Sequence, residues 1–111
     1  MKFNAHMLRR AARDVELIAT WLHQRSPQGA DAWLRRWTQT FEALQLSSAA
    51  HGLAPEDEGQ ELEIRQVFFR TRKGRDYRAL YTIRDRDVYV MHIRGPGQDL
   101  VPADEVGGID M

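Results

Sequence analysis

The sequence predicts an α+β domain in which an N-terminal strand is followed by two antiparallel helices and a three-stranded antiparallel meander, the helices covering one face of the sheet. Three observations carry that prediction. Apolar residues recur at three- and four-residue spacing between residues 8 and 46, then at two-residue spacing beyond residue 62. The run "RSPQGA" breaks the helical half in two, and the short polar connections "RTRKGR" and "RDRD" divide the strand half into three.

The elements follow in order. Phe3, Ala5 and Met7 alternate with Lys2, Asn4 and His6, which makes residues 2–8 a short strand. Leu8, Ala11, Ala12, Val15, Ile18, Ala19 and Leu22 form one stripe of a helix from about Arg9 to Gln24. Ser26 is placed to cap a second helix, with Pro27 in the first turn, where no amide donor is required. Ala30, Trp33, Leu34, Trp37, Phe41 and Leu44 carry it to about Leu46, completing an αα-hairpin. Periodicity is absent from Ser47 to Glu61, and "HGLAPEDEG" reads as a loop. "ELEIRQVFF", "DYRALYTI" and "DVYVMHI" are rich in β-branched and aromatic residues and read as strands, with Gly74 available for a positive φ in the first connection. Residues 1–95 thus form one domain, and 96–111 an acidic, flexible tail.

The chain has 111 residues, no cysteine and a formal net charge of zero. Disulfides and thiolate metal sites are excluded, and no apolar run approaches the roughly 20 residues of a membrane span. A cytoplasmic location without membrane partners is the expectation. The zero net charge hides a segregation: residues 63–94 hold nine Lys/Arg against four Asp/Glu, while 51–62 and 95–111 each hold four acids and no base. The stretch "FFRTRKGRDYR" alone carries five basic residues in eleven positions. Arg70, Arg72, Lys73 and Arg75 at this hairpin tip are candidate binding residues for phosphates or an acidic partner, or simply solvated charges that block edge-to-edge aggregation.

Motifs for other chemistries are missing. The four histidines have no metal-ligand spacing, and there is neither a GxxxxGK[ST] loop nor a GxSxG elbow, so neither a metal nor a cofactor is expected. Trp21, Trp33 and Trp37 fall at helical spacing and are expected to pack the core. Arginines on strands remain, Arg65, Arg70, Arg78, Arg84 and Arg94, and several of them in phase would converge over the uncovered face of the sheet and suit phosphate binding, because guanidinium is planar and permanently charged.

Taken in order, "LRRAARDVELIATWL", "RSPQGADAW", "LAPE", "EIRQVFF", "YRALYTI" and "DVYVMHIR" resemble the RelE/ParE superfamily, the toxins of bacterial type II toxin–antitoxin modules, over residues 2–95. The resemblance implies the same strand–helix–helix–meander fold, growth arrest, a cognate antitoxin, and a higher-order toxin–antitoxin assembly. It implies one of two targets. ParE-like members poison DNA gyrase and have no enzymatic activity of their own. RelE-like members cut mRNA on the translating ribosome, and in that case Arg65, Arg78 and Arg94 would be catalytic, Arg78 meeting the scissile phosphate as a solvent-facing side chain. Nuclease members also place a His, Tyr or Arg after the last strand, where this chain has "IRGPGQD", with Gly95 at the His position and Gln98 at the Arg position. Neither side chain serves as a general acid near neutral pH. The departure tilts the expectation toward gyrase; a non-toxic binding module on the same fold is the third possibility.

Overall fold

Alternation at the N-terminus yields β1, Asn4–Met7, in a computed structural model that describes residues 2–109. Helix α1 runs from Arg9 to Arg25 and α2 from Pro27 to Ser47. A single extended residue, Ser26, serves both: its N–H donates to the Leu22 carbonyl at 2.8 Å, closing α1. Its Oγ accepts from the Gly29 N–H at 3.0 Å, opening α2 ahead of Pro27. Two helices joined by one non-helical residue fold back on each other as a tight hairpin. The following segment is not featureless, since it contains two single 3₁₀ turns, Ser48–Ala50 and Pro55–Asp57.

The meander comprises β2 (Arg65–Phe69), β3 (Tyr77–Arg84) and β4 (Asp87–Arg94). Strand order is β1-β4-β3-β2, with β1 parallel to β4 and the other pairs antiparallel. The tight β3–β4 connection takes its positive φ at Asp85 (57°), a residue type that tolerates the left-handed region. Gly74 is not left-handed; a Cβ there would collide with Thr71 Oγ1, so close approach is what its missing side chain permits. At Leu80/Tyr81 the register shifts: His92 pairs with Leu80 and Val90 with Tyr81, leaving Met91 as an extra residue in β4. This bulge inverts the alternation of β4, so that Val88, Val90 and Ile93 all face the helices while Arg94 turns to the opposite side.

The hairpin covers one face of the sheet, as the pattern predicts. Trp33, Trp37 and Leu44 of α2 and Ala11 of α1 pack on Val67, Phe69, Ala79, Tyr81, Val88 and Ile93. Trp37 meets the Phe69 ring at 5.2 Å and Trp33 the Tyr77 ring at 5.4 Å. Ala12, assigned to the α1 stripe by spacing, is exposed.

The second face is not bare, contrary to the expectation of an uncovered sheet. A second apolar cluster of Leu8, Ala54, Ile64, Leu80, Met91, Val101 and Val106 covers it. Two of these residues belong to the segment where the sequence predicts an acidic tail, whose last two residues lie outside the described part. Val101 and Val106 are 4% and 0% exposed, and Ala103–Val106 form a single helical turn, α3. Full burial of a valine contributes about 1.5–3 kcal/mol, so the two together hold this segment against the sheet. Among the described residues no helix is long and apolar enough to cross a membrane, and no cluster of three or more His, Asp or Glu is arranged to hold a metal.

Candidate functional site

Helix α1 is apolar on two sides. Val15, Ile18 and Leu22 pack toward the core, whereas Leu17 and Trp21 remain 57% and 50% exposed. Position 17 lies about 100° around the helix from position 18, so both residues fall off the core stripe although they share its helical spacing. Trp21 therefore departs from the expectation for the three tryptophans; Trp33 and Trp37 are buried, but Trp21 stands at the surface with the Arg25 guanidinium 3.6 Å over its ring. Leu17 and Trp21 form one wall of a cavity of about 680 Å³. Its other walls are Trp33, Tyr77 and the turn after β4, and Lys73 and Arg75 stand on its margin. The result is an apolar groove with a basic rim.

Gly95 closes one end of the groove. Its N–H donates to Gln98 Oε1, and a Cβ at this position would stand 3.1 Å from the Tyr77 ring. The two residues that depart from the nuclease pattern thus bond to each other in a turn packed on Tyr77.

The four basic residues of the β2–β3 loop are divided between two sites. Lys73 and Arg75 line the groove, whereas Arg70 and Arg72 face α2 on the other side of the loop. Arg70 approaches Asp76 at 3.9 Å with both side chains exposed, a pairing worth little in water.

Arg65, Arg78 and Arg94 are each engaged. Arg78 makes a bidentate pair with Glu56, Nη1 to Oε1 at 2.7 Å and Nη2 to Oε2 at 2.5 Å, and Nη1 also reaches Gln66 Oε1 at 3.3 Å. The Glu56 side chain is fully buried and that of Arg78 is 14% exposed. Burial alone would raise the Glu56 carboxyl, but the Arg78 hydrogen bonds and the Val101 N–H, which donates to Oε2 at 3.1 Å, outweigh it and hold its pKa below the ordinary value. One carboxylate thereby ties β3 to the C-terminal segment. Arg94 lies opposite Arg78 in the β3–β4 register and donates from Nε and Nη2 to the Asp99 carbonyl at 3.1 and 2.7 Å. Arg65 is not part of this group: it shares the alternation of Val67 and Phe69, and it donates to the His51 carbonyl at 2.5 Å and to Glu63 at 3.3 Å. The solvent-facing Arg78 expected from the sequence is thus a largely covered side chain paired with a fully buried carboxylate.

His92 lies on the Arg78 side of the sheet, 4% exposed, with Nδ1 unpartnered. Burial holds its pKa below the usual range, with Asp14 only partly opposing the shift. Glu56 is the residue of this arrangement that the sequence did not distinguish. It opens the triplet "EDE" in a loop, a pattern shared by any solvated acidic run.

A four-stranded mixed sheet with an αα-hairpin on one face and an apolar groove beside it is the architecture expected of a RelE/ParE superfamily toxin. Comparison with protein-family models matches residues 6–100 to the family described as ParE toxin of type II toxin-antitoxin system, parDE, and the chain belongs to that family. No curated protein and no solved structure matches it. The protein is a type II toxin, and a cognate antitoxin is its partner.

Proposed function

We propose that this toxin arrests growth by poisoning DNA gyrase and does not cut mRNA. The observation that carries this reading is the bidentate hold of buried Glu56 on Arg78. A ribosome-dependent nuclease built on this face needs free cations to stabilise a pentacovalent phosphorane, each worth about 3–4 kcal/mol in the transition state. Withdrawing Arg78 from Glu56 would leave a buried carboxylate unpaired, at a cost of about 3–5 kcal/mol. The two magnitudes cancel. Arg94 is occupied by a backbone carbonyl and Arg65 lies on the other face, so neither of the other two candidate cations restores the balance. The general acid is lacking as well, because His92 is buried and held neutral, and Gly95 and Gln98 offer no proton.

The groove between α1 and the β2–β3 loop suits the antitoxin. Its apolar wall of Leu17 and Trp21 beside Lys73 and Arg75 matches an amphipathic segment with acidic flanks. Inducible expression in bacteria tests the reading. Growth arrest with filamentous cells and induction of the DNA-damage response is expected, relieved by the antitoxin. Arrest with truncated transcripts in translated reading frames and intact chromosomes would overturn it.

A further inference from the structure

A second concavity, of about 450 Å³, lies between α2 and the β2–β3 loop, and four arginines line it: Arg35 and Arg36 from the helix, Arg70 and Arg72 from the loop. Gln39 and Thr71 are its neutral polar members and Ala32 its one apolar residue. No carboxylate lines it. Among the described residues the carboxylate within ion-pair distance of any of the four is Asp76, 3.9 Å from Arg70 with both side chains exposed, and Arg36 reaches only the Gln39 amide, at 3.5 Å. We propose that this concavity is a seat for the phosphodiester backbone of duplex DNA. The inference rests on the gyrase reading, in that it makes the DNA held by gyrase part of the toxin's docking surface.

The chemistry selects the ligand class. Four guanidinium groups brought to one hollow repel one another unless an anion or water separates them, and a Debye length of about 8 Å at physiological salt leaves that repulsion unscreened within the cluster. All four are arginine, whose planar fork binds a phosphate through two donors, and none is lysine. An acidic protein partner would need a desolvated apolar anchor to bind stably, and the hollow offers only Ala32. That kind of anchor is present on the other side of the loop, where Lys73 and Arg75 adjoin Trp21. A phosphate backbone needs only cations and neutral donors, which are what this concavity contains. Because the whole chain is neutral, long-range attraction to DNA is weak, and binding at this patch will be of the non-specific, salt-sensitive kind.

Anisotropy titration of a labelled duplex of roughly 20 base pairs with the full-length toxin, from about 50 to about 200 mM salt, tests the proposal. Each phosphate contact contributes about 0.9 to the slope of log affinity against log salt. The double variant Arg35→Gln/Arg72→Gln is therefore expected to reduce the slope by about 2 and to weaken binding about tenfold per arginine at the lowest salt. Arg9→Gln/Arg13→Gln removes the same charge from exposed positions on α1 and should leave most of the slope intact. Equal losses in the two double variants, or no DNA binding by the wild type, whether or not it captures a poly-glutamate peptide, would overturn it. The two claims fail separately. If the wild type poisons gyrase and Arg35→Gln/Arg72→Gln does so equally well, the DNA seat is wrong and the gyrase reading stands. If the wild type leaves gyrase untouched, the titration still decides whether DNA binds.

Discussion

Arg78→Met removes the positive half of a pair whose carboxylate has no exposure at all. Methionine fills most of the volume, so the loss is electrostatic: Glu56 retains the Val101 N–H but loses two charge-assisted hydrogen bonds. Removing one member of a buried pair costs about 3–5 kcal/mol. A domain of this size has about 5–15 kcal/mol in total, and each kcal/mol moves the melting temperature by about 4 °C or more, so a drop of about 12–20 °C is expected. Two further results separate this account from lost packing. Glu56→Gln keeps an acceptor for Val101 without the charge, so Arg78→Met/Glu56→Gln should regain at least half of the loss. In Arg78→Met alone burial raises the Glu56 carboxyl unopposed by its former partner, and a group with a raised folded-state pKa favours folding at low pH, so the deficit should shrink between pH 8 and pH 5. Differential scanning calorimetry across that range is the assay. A fall of less than about 3 °C for Arg78→Met, or no rescue in the double variant, would refute the buried-pair reasoning and return Arg78 to the surface.

Other expectations are simpler. In the wild type, Glu56 and His92 both have lowered pKa values, so each contributes stability that is complete above its unfolded value, about 4.3 and about 6.5, and is lost as pH falls through its folded value. His92→Leu should flatten the loss that begins below about pH 6.5, as followed by thermal melts; an unchanged profile would remove His92 from the account. Val106→Asp places a charge in a fully buried position and should destabilise the C-terminal segment, read as faster hydrogen exchange at Val101 and Val106. Leu17→Ala/Trp21→Ala should weaken antitoxin binding, measured by calorimetry, with little change in melting temperature because both residues are more than half or about half exposed. Ser26→Ala removes the α2 cap and should cost about 1 kcal/mol by chemical denaturation.

The elements were legible because they rest on local chemistry. The change of period after residue 62 marks the sheet, and Ser26 with Pro27 marks the turn between helices, where a hydroxyl acceptor and a missing amide fit the first turn. The placement of the site residues was legible only in part. Alternation assigns Arg78 and Arg94 to one face only if the register is known, and the Met91 bulge that sets it leaves no trace in the hydrophobic pattern, since Val90, Met91 and Ile93 are apolar either way. Arg65 was grouped with them from strand membership, but its parity puts it on the helix side. Trp21 shows the converse failure: helical spacing fixes a residue's angle around the axis, not whether a neighbour covers that angle. The cover of the second face was hidden because Val101 and Val106 lie in a stretch of turn formers and acids whose few apolar residues show no helical or strand period. Glu56, which accepts from the Val101 N–H, lies 45 residues upstream, too far for any local pattern.

The central claim, that growth arrest comes through gyrase and not through RNA cleavage, is tested most directly with purified toxin in two parallel reactions. One contains gyrase, ATP and relaxed plasmid; the other contains ribosomes translating a defined mRNA. Inhibited supercoiling with accumulated linear plasmid, beside intact mRNA, is the expected result. Unaffected supercoiling together with mRNA cut in the ribosomal A site, and loss of that cutting in Arg78→Met under conditions where the variant is folded, would contradict it.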